Sequence, residues 1–148
     1  MNKKEIKILL VEDNEGDIVL TLEALKEGKE SNGIQVVKDG EAALQYLRKQ
    51  GRFKNAETPD LILLDINLPK VDGKEVLAEI KKDEDLMIIP VVMLTTSDSQ
   101  KDIMESYQRH ANCYITKPVD YQKLIDAVCV IKDFWINIVQ LPNKKSYE

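Results

Sequence analysis

Apolar and polar positions along this chain follow two rhythms. Short, nearly unbroken apolar runs with β character occupy Lys7 to Val11, Ile34 to Val37, Leu61 to Leu64, Pro90 to Leu94 and Cys113 to Thr116. Between them, apolar residues recur at helical spacing: Ile18, Leu22 and Leu25; Ala43, Leu44 and Leu47; Val76, Leu77 and Ile80; Ile103, Met104 and Tyr107. The punctuation agrees with that division. Asp13 or Asn14 can cap the first helix, and Gly28 with Ser31-Asn32-Gly33 closes it. Asp39-Gly40 turns the chain into the second helix and Gly73 starts the third. Asp98 or Ser99 can cap the fourth, which extends to His110. Gly51 to Pro59 is polar and reads as an extended loop, with Phe53 its one large apolar residue.

Strands alternating with helices predict an α/β fold, a parallel sheet with helices on both faces. Four large apolar residues in succession, Leu61 to Leu64, suit a strand buried on both sides. That strand stops at Asp65, and Pro69 cannot donate to a ladder, so the sheet has ended there. The last helix, from near Asp120 to Val139, is apolar on two sides. Leu124, Val128, Ile131, Trp135 and Ile138 form one stripe; Ile125, Cys129, Ile136 and Val139 form another. One stripe serves the sheet, and the second is either further burial or a surface for a partner or for self-association, a homodimer being the expectation.

Composition narrows the function classes. The 148 residues predict one domain, with a core over about 5–140 and a polar tail over 141–148. A formal net charge of −5 and a pI near 5.1 offer nothing to nucleic acid or to an anionic membrane. Apolar runs fall far short of the ~18 residues of a membrane span, and the amino terminus lacks a signal-peptide pattern. Cys113 and Cys129, both in apolar segments, read as buried thiols in a reducing cytoplasm.

Chemistry concentrates at the strand ends. Right-handed crossovers bring the ends of strands one, three, four and five to one edge, where open α/β sheets bind ligands. That edge gathers Glu12, Asp13, Asp65, Thr95 and Lys117. The plain alternative for Asp65 alone is a surface turn; the joint placement favours a site. Three crowded carboxylates repel, and a hard divalent cation resolves the conflict. Mg²⁺ takes a few carboxylates, waters and a substrate phosphate, so the set predicts Mg²⁺ and phosphoryl chemistry together. Lys117 offers a compact cation and Thr95 a neutral hydroxyl to phosphoryl oxygens. A phosphatase with an aspartate nucleophile usually has a second Asp two residues later as general acid, where this chain has Asn67. A flavodoxin-type module would have to bind phosphate against the charges of Glu12-Asp13. His110, the sole histidine, sits beside Arg109 near a helix end and reads as a partner of the helix dipole. Phe134 and Trp135 read as core, and Lys81-Lys82 and Lys144-Lys145 as solvated surface.

Glu12-Asp13, Asp65 with Asn67 and Pro69, Gly73, Thr95, Tyr114 and Lys117-Pro118 together resemble the receiver domain of two-component response regulators, over Lys7 to Val139. The spacings, 30 residues from Asp65 to Thr95 and 22 more to Lys117, fit as well. The polar segment before strand three, Leu94-Thr95-Thr96-Ser97, and Phe134-Trp135 to Leu141-Pro142 resemble the small stand-alone regulators that partner bacterial phytochrome histidine kinases. The resemblance implies a CheY-like strand order 2-1-3-4-5. It implies Asp65 as phosphoacceptor from a kinase phosphohistidine, and Mg²⁺ held by Asp13, Asp65 and the Asn67 carbonyl with help from Glu12. It further implies Lys117 and Thr95 on the phosphoryl oxygens, a Thr95–Tyr114 switch acting on the helix 4, strand 5 and helix 5 surface, and a cis peptide before Pro118. The chain would then be a signalling switch whose only catalysis is its own phosphorylation and dephosphorylation. A pseudo-receiver working without phosphorylation is disfavoured by the complete acidic set. Two positions depart from the common pattern: Glu12 stands where many receivers have Asp, and Thr96 where a small residue is frequent. The β-branched Thr96 would narrow access to the phosphoryl group.

Overall fold

Side chains along each central strand alternate between two cores, and that alternation fixes the architecture. The computed structural model describes residues 6–26 and 33–143. Within them β1 (Ile8–Val11), α1 (Glu15–Lys26), β2 (Ile34–Val37), α2 (Gly40–Leu47), β3 (Leu61–Leu64), α3 (Gly73–Lys82), β4 (Val91–Thr95), α4 (Gln100–Gln108), β5 (Cys113–Thr116) and α5 (Tyr121–Lys132) follow one another. A 3₁₀ turn covers Gly51–Phe53 and a π-helical turn covers Asp133–Ile138. The sheet is parallel, in the order β2-β1-β3-β4-β5. The alternating strands, the parallel sheet and the strand order are as expected. The expected closure of the first helix at Gly28 and Ser31-Asn32, and the Lys144-Lys145 surface, lie outside the described residues.

Leu9, Val11, Ile62, Leu64, Val91 and Met93 face one core with α2 and α3. Ile8, Leu10, Leu61, Leu63, Val92 and Leu94 face the other, with Ala24 and Leu25 of α1 and Leu124, Val128 and Ile131 of α5. Helices on both faces leave the middle strands dry, which is why β1, β3 and β4 are fully buried, and apolar but for Thr95 at the end of β4. Caps place the helix starts. Asn14 accepts from the Asp17 N–H (2.9 Å), Asp39 from Ala42 (2.7 Å), Asp72 from Lys74 (2.6 Å), Ser99 from Asp102 (3.1 Å) and Asp120 from Lys123 (3.0 Å).

Three features differ from the sequence reading. Pro90 stands outside β4 because it has no N–H for the ladder, although its carbonyl accepts from Ile62 at 3.0 Å. The last helix does not continue as α-helix to Val139: it widens into the π turn after Lys132. The extra residue in that turn moves the following side chains around the axis, so Trp135 and Ile136 both reach the second core while Ile138 is exposed. Ile125 and Cys129 also pack against that core, because α5 lies against α1 as well as the sheet. Val130, Phe134 and Ile138, toward the end of this helix, face outward.

Candidate functional site at the strand ends

Backbone bonds carry the ladders one residue past the strands. The Glu12 N–H donates to Val37 (3.1 Å), Asp65 to Val11 (3.1 Å) and Lys117 to Thr95 (2.6 Å). Residues 12, 65 and 117, far apart in sequence, are thereby brought to one edge. Helix α3 closes on them from the side. A Cβ on Gly73 would stand 2.0 Å from the Asp65 carbonyl oxygen, so only glycine lets α3 begin against that backbone.

Lys117 is buried at the centre of the cluster. Its Nζ donates to Glu12 Oε1, to Asp17 Oδ2 at 2.9 Å and to Asp65 Oδ2 at 3.3 Å. Asp65 is held in place by its own turn, with Oδ1 accepting from the Ile66 N–H at 2.7 Å. Glu12 Oε2 accepts from the backbone of Asp13 (3.1 Å) and Asn14 (3.2 Å). Burial pushes the Glu12 carboxyl up to about 7, against the pull of the Lys117 hydrogen bond and with the charge of Asp65 adding to the push. Burial works to lower the Lys117 ammonium as well. Its hydrogen bonds to Glu12 and Asp17 and the Asp65 charge together outweigh that and raise it above its ordinary value.

One carboxylate oxygen each from Glu12, Asp13 and Asp65 lie within 4.8 Å of one another, with Asp13 exposed and the other two buried. Hard oxygen donors of this kind, open to water on the Asp13 side, fit a small divalent cation. A second observation points to a missing ligand. Thr95 is fully buried at the end of β4, and its hydroxyl has no hydrogen-bond partner among the described residues.

The other expected residues take these places. Asn67 is exposed at the apex of a turn closed by Leu68 N–H to the Ile66 carbonyl (2.9 Å), directly after Asp65. Tyr114 is half-buried, packs against the first core and donates its hydroxyl to the Ser97 carbonyl at 2.8 Å. Thr96 is exposed beside Thr95. Ile125, Cys129, Ile136 and Val139 are all half-buried rather than open. His110 lies on the turn beyond α4, in the left-handed region at φ 70°. The expected cis peptide before Pro118 is corrected: the described residues contain no cis peptide, and Lys117–Pro118 is trans. For a peptide bond before proline the two forms are close in energy, and the lysine reaches all three carboxylates from the trans linkage.

Asp17 was missed. It sits in the first turn of α1 beside Glu15, where acids favour the helix dipole and attract no further notice. Its helical spacing from Thr21 and Ala24, both buried, was the available signal that it turns inward.

The family model for the response regulator receiver domain matches residues 8–129. The chain is 48% identical over 135 residues to the response regulator Rcp1 of Synechocystis sp., covering 91% of this chain and 92% of that protein. Among solved structures, the phosphorylated cyanobacterial phytochrome response regulator RcpA superposes with a TM-score of 0.92 at 50% identity, covering 95% of this chain and all of that one. The Mn²⁺-bound form of Rcp1 gives 0.90 at 47% identity, covering 93% and 99%. A match running from the first residue of β1 into α5, through every strand end that carries the acidic edge, leaves one assignment: the chain belongs to the response regulator receiver domains, phosphorylation switches rather than metabolic enzymes.

Proposed function

We propose that Asp65 accepts the phosphoryl group, taking it from a phosphohistidine of a sensor histidine kinase. The histidine N–P bond breaks as an Asp65 Oδ–P bond forms, and the imidazole leaves as a neutral base. The single observation that carries the reading is the setting of Asp65: buried, bonded to the Lys117 ammonium, and sharing its edge with the unpartnered Thr95 hydroxyl. Glu12, Asp13 and Asp65 would hold Mg²⁺, with the Asn67 carbonyl as a further oxygen; the ion supplies charge neutralisation for the incoming phosphoryl group. Lys117 and Thr95 donate to the phosphoryl oxygens. Movement of Thr95 toward them reaches Tyr114 through the loop after β4, where Ser97 holds the tyrosine hydroxyl, and so alters the α4–β5–α5 surface. The test is incubation with Mg²⁺ and acetyl phosphate, read by intact mass. The wild type gains one phosphoryl group and Asp65→Asn gains none; an equal gain in the variant would move the acceptor elsewhere.

The relatives named for phytochrome signalling support a phytochrome-type kinase as donor. The receiver would then act by binding a partner, by relay or by feedback on the kinase. Self-association is the second reading, favoured by the outward Val130, Phe134 and Ile138 at the end of the last helix. Sedimentation of the wild type should show a dimer that Phe134→Asp dissociates; two identical monomers would end the idea.

A further inference from the structure

A lysine ammonium has three hydrogens, and in Lys117 each has a carboxylate: Glu12, Asp17 and Asp65. A phosphoryl oxygen that is to receive one of them must displace a partner. The three are not equally easy to displace. The side chains of Glu12 and Asp65 are 4% and 8% exposed, so either one released without a new partner would leave a buried charge or polar group unsatisfied. Asp17 is 25% exposed, stands on the first turn of α1 and can swing into water at little cost. Glu12 and Asp65 also belong to the oxygen set that fits a divalent cation, while Asp17 does not.

From this geometry we infer that Asp17 is a positioning residue that competes with the phosphoryl group for the Lys117 ammonium. It holds the lysine in the unphosphorylated protein and gives it up when the phosphoryl group arrives. The inference rests on Asp65 as the acceptor and adds a counterweight to it. Asp17 keeps the buried ammonium satisfied when no phosphoryl group is present, and for the same reason it weakens the binding of that group.

The test uses the full chain and beryllofluoride, an anionic analogue of the phosphoryl group, titrated calorimetrically at saturating Mg²⁺, with Mg²⁺ also titrated alone. Asp17→Asn should bind beryllofluoride about three- to tenfold more tightly, the scale of one half-exposed charge interaction. Its Mg²⁺ affinity should fall, because the edge has lost a negative charge. Asp17→Glu keeps the charge and should stay near the wild type. Glu15→Gln removes a charge from the same turn, one that pairs with Lys38 and does not touch Lys117, and should change neither affinity. Thermal unfolding confirms that each variant is folded. Unchanged or weaker beryllofluoride binding in folded Asp17→Asn overturns the inference, as does an equal gain in Glu15→Gln. Asp65→Asn run alongside separates the two readings: if it still binds beryllofluoride, the acceptor assignment fails, and if it does not while Asp17→Asn is flat, only the role of Asp17 fails.

Discussion

Two lysines in this molecule each grip more than one carboxylate, and they do so to opposite ends. Lys117 sits buried among Glu12, Asp17 and Asp65 at the strand ends. Lys74, next to Gly73 at the start of α3, reaches Asp102 at 2.7 Å and Glu105 at 2.6 Å on α4. Ser97 donates to the second oxygen of Asp102 at 2.5 Å, which ties the loop after β4 into the same group. Around Lys74 the charges are content. Its hydrogen bonds with the two carboxylates raise the lysine and lower both acids. Around Lys117 they are not: Glu12 is driven up to about 7, first by its burial and then by the Asp65 charge, against the pull of the Lys117 hydrogen bond. Ions near the surface, all of them paired, clamp α3 to α4. An excess of buried acid is an unfinished site, and a cation is what would finish it.

The largest effect that separates the two is metal-dependent stability. Lys117→Met leaves Glu12 and Asp65 buried without their ammonium, and in EDTA should cost about 3 kcal/mol, the lower range for breaking a buried pair. Saturating Mg²⁺ should recover much of that loss, because a second cation replaces the first. Lys74→Met should cost about 1 kcal/mol or less, shrink further in high salt, and gain nothing specific from Mg²⁺. Urea unfolding of both variants with EDTA and with Mg²⁺ checks this. A Lys74→Met loss that Mg²⁺ repairs equally would remove the distinction.

The two clusters also differ in how far the sequence revealed them. Glu12, Asp65, Thr95 and Lys117 were legible because each ends a short apolar run, and parallel topology permits only one edge for such ends. Their contacts were not legible, since Lys117 stands 105 positions from Glu12 and 100 from Asp17 in sequence. Asp17 itself was hidden by a local role that explained it well enough. Lys74 with Asp102 and Glu105 carried no sequence signal, because only the fold brings α3 and α4 side by side. The π turn after Lys132 was equally silent: the apolar pattern there is continuous, and only the competing pulls of α1 and the sheet on α5 decide which residues turn inward. Strand order and helix caps depend on local chemistry and chirality, and they were readable.

The smallest expected effect is also the one in which the clusters oppose each other most directly, and it lies in the acid range. Glu12 has its folded value near 7 and its ordinary value near 4.5, so between the two the folded protein holds a proton that the unfolded chain has released. On that account, metal-free stability falls as pH rises from about 4.5 to 7 and levels off above. Asp102 and Glu105 are lowered, so their contribution is present above the ordinary carboxylate range and is lost as pH falls through it. The two slopes lie in different ranges, that of Asp102 and Glu105 below about pH 4.5 and that of Glu12 above it, so between pH 5 and 7.5 the wild type should lose a few degrees in thermal midpoint. The substitutions separate them. Glu12→Gln removes the falling limb and should leave a midpoint nearly level across that range, while Asp102→Asn should fall in parallel with the wild type. Thermal scans in EDTA decide the matter: if Glu12→Gln and the wild type run parallel across that range, Glu12 does not carry the excess charge of the strand-end site, and the contrast between the two lysines is one of burial alone.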